Sequence, residues 1–218
     1  YGRKIVVATG GKSYPKTGSA GEIFPALKDL GLELEDMKPA LTPIYVENYP
    51  YHNLAGISFP EVEITILKEG KRYKEKSSLL LAHSYFSGFG ILNLSRYGEE
   101  SSRLKIDYCP DIDWEELNFK IKTLKKLDKA GVLAVHDHLL RDKNILKRFL
   151  ETLFLRLGLN KNMRLLDISG DDIRGLVCLL KEDIFEVEKT GDFNKAMVTA
   201  GGVCLEEIDL GSYEVKKY

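Results

Sequence analysis

Two short stretches carry residue types that let a ligand come close to the backbone. Val7-Ala8-Thr9-Gly10-Gly11 follows an apolar run, and Val198-Thr199-Ala200-Gly201-Gly202 echoes it near the other end of the chain. A glycine pair has no Cβ atoms, so a ligand or a second backbone can approach it closely. Neither stretch completes a nucleotide-binding pattern. The phosphate loop G-x-x-x-x-G-K-[ST] would need glycine six residues into the chain, where Val6 stands before Gly11-Lys12-Ser13. The dinucleotide pattern G-x-G-x-x-G is met only as far as Gly88 and Gly90, because Asn93 occupies the last glycine position.

Other candidate groups are few. His83 ends an apolar run, and its imidazole could move a proton near neutral pH or serve as a buried hydrogen-bonding residue at a strand end; the second is the expectation here. His136, Asp137 and His138 suggest a metal site, but residues two apart on a helix do not share a face, so no metal is expected and the three read as solvated helix residues. Cys109, Cys178 and Cys204 are far apart and odd in number, which fits a reducing, cytoplasmic setting better than a disulfide framework.

The elements that must position these residues follow from pattern. Of the 218 residues, 44% are hydrophobic and 30% charged, with a net charge of -1, so the chain should fold and no whole-molecule field draws it to nucleic acid or to a membrane. No apolar run is long enough to span a bilayer, and the start lacks the order of a signal peptide. RKIVVA at 3–8 reads as a buried parallel strand. Ser19 and Glu22 have capping-box spacing ahead of Ile23, Phe24, Leu27 and Leu30, with Gly31 as the stop and Pro25 as a flaw inside that helix. Residues 32–109 are mostly β, including a hairpin turning around Gly70, a strand at 103–109 and a short helix ending near Gly98.

From Asp113 the period becomes helical. Asp113 and Glu116 begin a helix with Leu117, Ile121, Leu124 and Leu127 on one face. Helices at about 142–157 and 170–181 follow, and strand-like sequence returns after them. Between Asp113 and Arg164, twelve Lys or Arg face seven Asp or Glu, a surplus that reads as a solvated helix face with a nucleic-acid surface as the alternative. Strand and glycine turn, β module, helical module and β again is the order of an insertion into a scaffold. The organisation expected is 1–40 as one stub of that scaffold, 41–110 as a barrel-like subdomain, 111–182 as a helical subdomain and 183–218 as the return. Because the chain opens on Tyr1 at a strand edge, it reads as a piece of something longer.

The blocks "ATGGKSYPKTGSAGE", "LGLELEDMKPALTPI", "LLLAHSYFSGFGILNLSR" and "VTAGGVCLEEIDLGSYEVKK" occur in that order. They resemble the signatures of the bacterial and archaeal NAD(P)/FAD-dependent flavoproteins that include aminoacetone oxidases and 3-dehydro-bile-acid reductases. The resemblance implies an α+β fold: a β-barrel-like subdomain with an inserted small helical bundle, plus short remnants of an α/β FAD-binding domain. It also implies that Thr9, Gly10, Gly11, Thr199, Gly201 and Gly202 lie beside FAD. Tyr14, Pro15, Thr17, Gly18 and Ser19 would face the flavin or the substrate, and His83 and Ser87 would be substrate-side groups, with no catalytic residue assigned.

Phe89 stands where the family has a proline, which leaves that turn open. By the same resemblance the parent is an oxidoreductase moving a hydride between NAD(P)H and a small organic substrate through FAD. Its FAD-binding domain is the expected partner of this chain, and neither membrane nor nucleic acid is. Alone, the chain is expected to be inactive and to bind FAD weakly or not at all. The alternative is a noncatalytic module that binds a protein or nucleic acid through its basic helices. The insertion further requires Gly10 and Gly201 to lie near each other.

Overall fold

The computed structural model describes residues 4–126, 131 and 133–217. In chain order the elements are α1 (Ile23–Asp29), β1 (Leu34–Ala40), β2 (Ile44–Val46), β3 (Ser58–Lys68), β4 (Lys71–Leu81), β5 (Phe86–Ser87), α2 (Phe89–Leu94), β6 (Arg103–Asp107), α3 (Trp114–Lys125), α4 (Lys147–Arg156), α5 (Gly170–Lys181), β7 (Asp183–Thr190) and β8 (Val198–Val203). They divide into a barrel unit, Ile44–Thr190, and a flanking unit made of Tyr1–Pro43 with Gly191–Tyr218.

The barrel closes in the strand order β2-β5-β4-β3-β6-β7. β3 and β4 form the long hairpin, with Lys68 opposite Lys71 and Glu69 and Gly70 in left-handed conformations at the turn. Val62, Ile64 and Ile66 point inward and are fully buried, as strand alternation requires. All the helices from α3 to α5 sit between β6 and β7, which pair directly with each other, so the helical module is an insertion between two adjacent barrel strands. The fold is α+β, as the family resemblance implies.

The helices form where their caps allow. Asp113 accepts the Glu116 amide at 2.7 Å, and Ser169 and Asp172 make a complete capping box. Leu127, expected on the α3 face, lies outside the described residues. α4 begins at Lys147 rather than near 142, because Asn144 takes a left-handed conformation and breaks the run after a 3-10 turn at Arg141–Lys143. Residues His136–Leu140 form a π-helical turn.

Two buried polar joints tie the insertion to the barrel. From α4, Arg156 donates from Nη2 to Asp183 Oδ1 and from Nη1 to Asp183 Oδ2, both at 2.9 Å. Tyr51 Oη donates to the same carboxylate, and Tyr108 Oη does so at 3.1 Å. Burial, with the Asp183 charge adding to it, pushes the Tyr51 hydroxyl well above its ordinary range. In the second joint, Lys181 at the end of α5 pairs with Asp107 at 2.7 Å and donates to the carbonyls of Cys109 and Ile112. Asp107 is nevertheless pushed above the usual carboxylate value, chiefly by burial, which outweighs the ammonium beside it.

The flanking unit departs from three expectations. Residues 4–8 form no strand with any described residue, and Ile5 and Val6 are 89% and 88% exposed. A parallel strand is held by neighbours on both sides, and among the described residues these have none. Ser19 and Glu22 form no capping box, since Ser19 Oγ donates to the carbonyls of Gly11 at 2.7 Å and Thr9 at 3.2 Å and the cap position falls on Glu22. Pro25 is the third residue of α1, where an amide has no intrahelical acceptor, so its missing N–H costs nothing. Gly31 does stop the helix, at φ +80°, with its amide on Lys28 and the Leu32 amide on Leu27.

Candidate functional site

The two glycine stretches meet inside the flanking unit. Thr199 Oγ1, on β8, accepts the amides of Lys12 at 2.7 Å and Ser13 at 3.1 Å, and it lies 3.1 Å from Ser13 Oγ. A Cβ on Gly11 would come within 2.5 Å of that Oγ1, so glycine is needed for the loop to reach the strand. The second pair lies within β8, whereas the first follows residues that form no strand among the described ones. A Cβ on Gly201 would meet the Asp36 carbonyl at 2.4 Å, at the irregularity of β1 between Glu35 and Lys38. Thr199 thus holds the loop after Gly11 against the strand that carries Gly201 and Gly202.

The other loop residues have defined places. Tyr14 is left-handed at φ 51°, its amide bonds the Phe193 carbonyl at 2.8 Å, and the residue is 47% exposed. Thr17 donates its hydroxyl to the Tyr14 carbonyl at 2.8 Å, and Gly18 ends the 3-10 turn at φ 102° with open space where a Cβ would be. Thr9 and Gly10 are exposed, while Gly202 is buried near the Phe24 ring.

The loop amides of Lys12 and Ser13 do not form an open anion site. An anion-binding nest needs consecutive free amides. Here the amides of Lys12 and Ser13 are already satisfied by Thr199. What the loop offers instead is exposed backbone at Thr9 and Gly10, the Tyr14 ring, and the Cβ-free surface of Gly18.

His83 and Ser87 belong to the barrel unit. Contrary to expectation, His83 is exposed, on the turn after β4. The reason is the tight Ala82–Tyr85 turn, closed by the Ala82 amide on the Tyr85 carbonyl at 3.0 Å, which leaves the residues at its apex outside the barrel wall. Ser87 is half-buried on β5, opposite Leu80. Gly88 has φ 95° and lies so close to β4 that a Cβ would meet the Ser78 carbonyl at 2.7 Å. Phe89, in the family's proline position, opens α2, and its extra amide donates to Ser78 Oγ at 3.3 Å, so the turn keeps a defined backbone.

His136 Nδ1 lies 2.7 Å from Asp137 Oδ1, and among the described residues no three His, Cys, Asp or Glu side chains cluster as a metal site. Among them too, no helix is long and apolar enough to cross a membrane. Sequence reasoning missed the Arg156–Asp183–Tyr51–Tyr108 joint and the contact of His52 Nδ1 with the His83 carbonyl at 2.7 Å. Only a charged residue on the apolar face of α4 hinted at the first, and nothing local at the second.

Comparison with known proteins gives a consistent picture. The 3-dehydro-bile acid delta(4,6)-reductase of Clostridium scindens is 22% identical over 94% of this chain and 51% of its own length. Ribosomal RNA dihydrouridine synthases match at 28% identity: that of Escherichia coli over 98% of this chain and 51% of its own length, that of Haemophilus influenzae over 92% and 48%. The chain therefore spans about half the length of these curated relatives. Residues 38–198, which hold the closed barrel and the helices between β6 and β7, match the family described as the HI0933-like protein barrel and H2TH domain, and the chain belongs to that HI0933-like flavoprotein family.

Proposed function

We propose that this chain is the substrate-covering part of an FAD-dependent reductase. The observation that carries the reading is the exposed apolar segment Ile5, Val6 and Val7, leading into a loop with exposed backbone at Thr9 and Gly10. Apolar side chains this exposed in a run are the mark of a missing neighbour. The FAD-binding domain of the same parent is the neighbour whose sheet they would join.

When bound there, FAD would supply hydride transfer, with NAD(P)H as electron source. This chain's own work would be to bind, orient and exclude water. Tyr14, Thr17 and Gly18 would lie against the ring, Gly10 and Gly201 would let backbones pass closely, and the barrel rim with His83 and Ser87 would face the substrate. The names of the relatives denote reduction of a carbon–carbon double bond, in a steroid acid and in a uracil ring. A conjugated double bond in a small organic substrate is accordingly the proposed target.

A visible spectrum of the purified chain, taken after adding FAD and removing the excess by gel filtration, tests this. No retained flavin band is expected, because the amides of Lys12 and Ser13 are already bonded to Thr199 and leave no open anion site there for a pyrophosphate. A retained band with turnover of NADH would overturn it.

A second reading is favoured by the dihydrouridine synthase relatives and the basic surplus between Asp113 and Arg164. In it, the target base lies in folded RNA whose backbone the helical module holds. Part of that surplus is used internally, as Arg156 is on Asp183 and Arg164 on Asp167, while Lys126, Arg141 and Arg148 are exposed. Binding of a ribosomal RNA fragment that falls steeply with added salt would support this reading, and no binding at low salt would remove it.

A further inference from the structure

The turn that exposes His83 is held by side chains from elsewhere as well as by its own backbone bond. Its backbone is gripped by two side chains from the segment after β2. Tyr49 Oη donates to the Ala82 carbonyl at 3.0 Å, and His52 Nδ1 lies 2.7 Å from the His83 carbonyl. The rings of Tyr49 and His52 meet edge-on, with centroids 5.3 Å apart, and Tyr49 is braced in turn by the Phe86 ring at 5.0 Å. On the strand side, the Leu81 amide bonds the Ile57 carbonyl and the Gly56 amide bonds the Leu81 carbonyl, both at 2.9 Å. Surface turns do not need such bracing to persist, whereas a side chain that must meet a ligand in one geometry does.

We propose that His52 is a positioning residue for His83, fixing the turn that presents His83 at the barrel rim. A carbonyl oxygen can only accept, so Nδ1 of His52 must carry the proton. Neutral His52 is then the Nδ1–H tautomer, and its Nε2 is left as an acceptor; among the described residues that atom makes no hydrogen bond. A free histidine side chain prefers the opposite tautomer, so the contact leaves a spectroscopic signature. The functional weight of the proposal rests on the reading that His83 faces substrate, but its geometry stands or falls separately.

Long-range proton–nitrogen spectra of the labelled chain at alkaline pH are the test, with His52→Ala and His52→Asn beside the unsubstituted protein. His52 is expected as the Nδ1–H tautomer. In His52→Ala, hydrogen-exchange protection of the Ala82 amide should fall about three- to tenfold, the share of one hydrogen bond, and the His83 ring signals should move. His52→Asn, which can donate to the same carbonyl, should restore both. The Leu81 and Gly56 amides should keep their protection throughout, marking the change as local.

An Nε2–H tautomer, or an unchanged Ala82 amide in His52→Ala, would overturn the positioning role whatever the parent enzyme reduces. If the NMR outcomes hold but His83→Ala leaves reduction by the flavin-loaded parent unchanged, the substrate-side reading fails instead.

Discussion

Between Ile44 and Thr190 every element turns apolar side chains onto one continuous core, from Ile44 to Val187, with Phe59, Phe86, Phe149 and Phe154 fully enclosed. The flanking unit has nothing comparable. Its buried apolar side chains among the described residues are Leu27, Leu32, Pro43 and Ala196, against exposed Ile5, Val6, Leu30, Leu205, Leu210 and Tyr213. One region satisfies its own hydrophobic surface and the other holds together by a two-stranded sheet and side-chain bonds such as those of Thr199 and Ser19. A small layer without a core is marginal alone. The contrast separates a unit with a hydrophobic core of its own from one whose apolar side chains are largely exposed.

The largest effects should fall in the barrel unit. Phe149→Ala, at a fully buried ring in contact with Tyr51, Phe59 and Tyr108, should cost about 3–5 kcal/mol in urea unfolding. Next is Arg156→Ala, which strands the buried Asp183 carboxylate and should cost about 3 kcal/mol, with loss of α4 protection before that of the barrel strands. If either change left the unfolding midpoint unmoved, the picture of one cooperative core would break.

Smaller effects should stay within one unit. Gly201→Ala forces a Cβ against the Asp36 carbonyl at a positive φ and should weaken the β1–β8 pairing by about 1–3 kcal/mol, seen as faster amide exchange there, while the barrel midpoint stays fixed. Burial pushes the Cys109 thiol up to about 12 from its ordinary 9.0. The folded protein then keeps a proton that the unfolded chain loses, so this contribution to stability is complete below pH 9.0 and is lost as pH rises towards 12. Cys109→Ala should flatten the alkaline fall of the unfolding midpoint, and an unchanged slope would sink the assignment. The smallest effect belongs to Val6→Ser, expected within about 0.5 kcal/mol because the side chain is 88% exposed; a larger loss would mean that the flanking unit has a core after all.

Much of the architecture was legible because it is local. Alternation in Val62, Ile64 and Ile66, the glycine turn, the cap at Asp113 and the stop at Gly31 all act over a few residues, and each appears where the pattern puts it. The strand expected at 3–8 failed for a reason no window of sequence contains: β-branched propensity makes a strand only when another strand offers its amides. The capping box at Ser19 failed because Gly11 and Thr9 carbonyls compete for the same hydroxyl.

The site divides in the same way. The sequence alone marked the glycine stretches and the order of β and helical modules, since composition and spacing are written along the chain, while His83 and the α+β barrel came from the family resemblance. Only tertiary structure decided that Thr199 occupies the loop amides, that Arg156 turns inward to Asp183, and that His52 meets the His83 turn, because each joins residues far apart in the chain whose pairing depends on where the backbone has carried them.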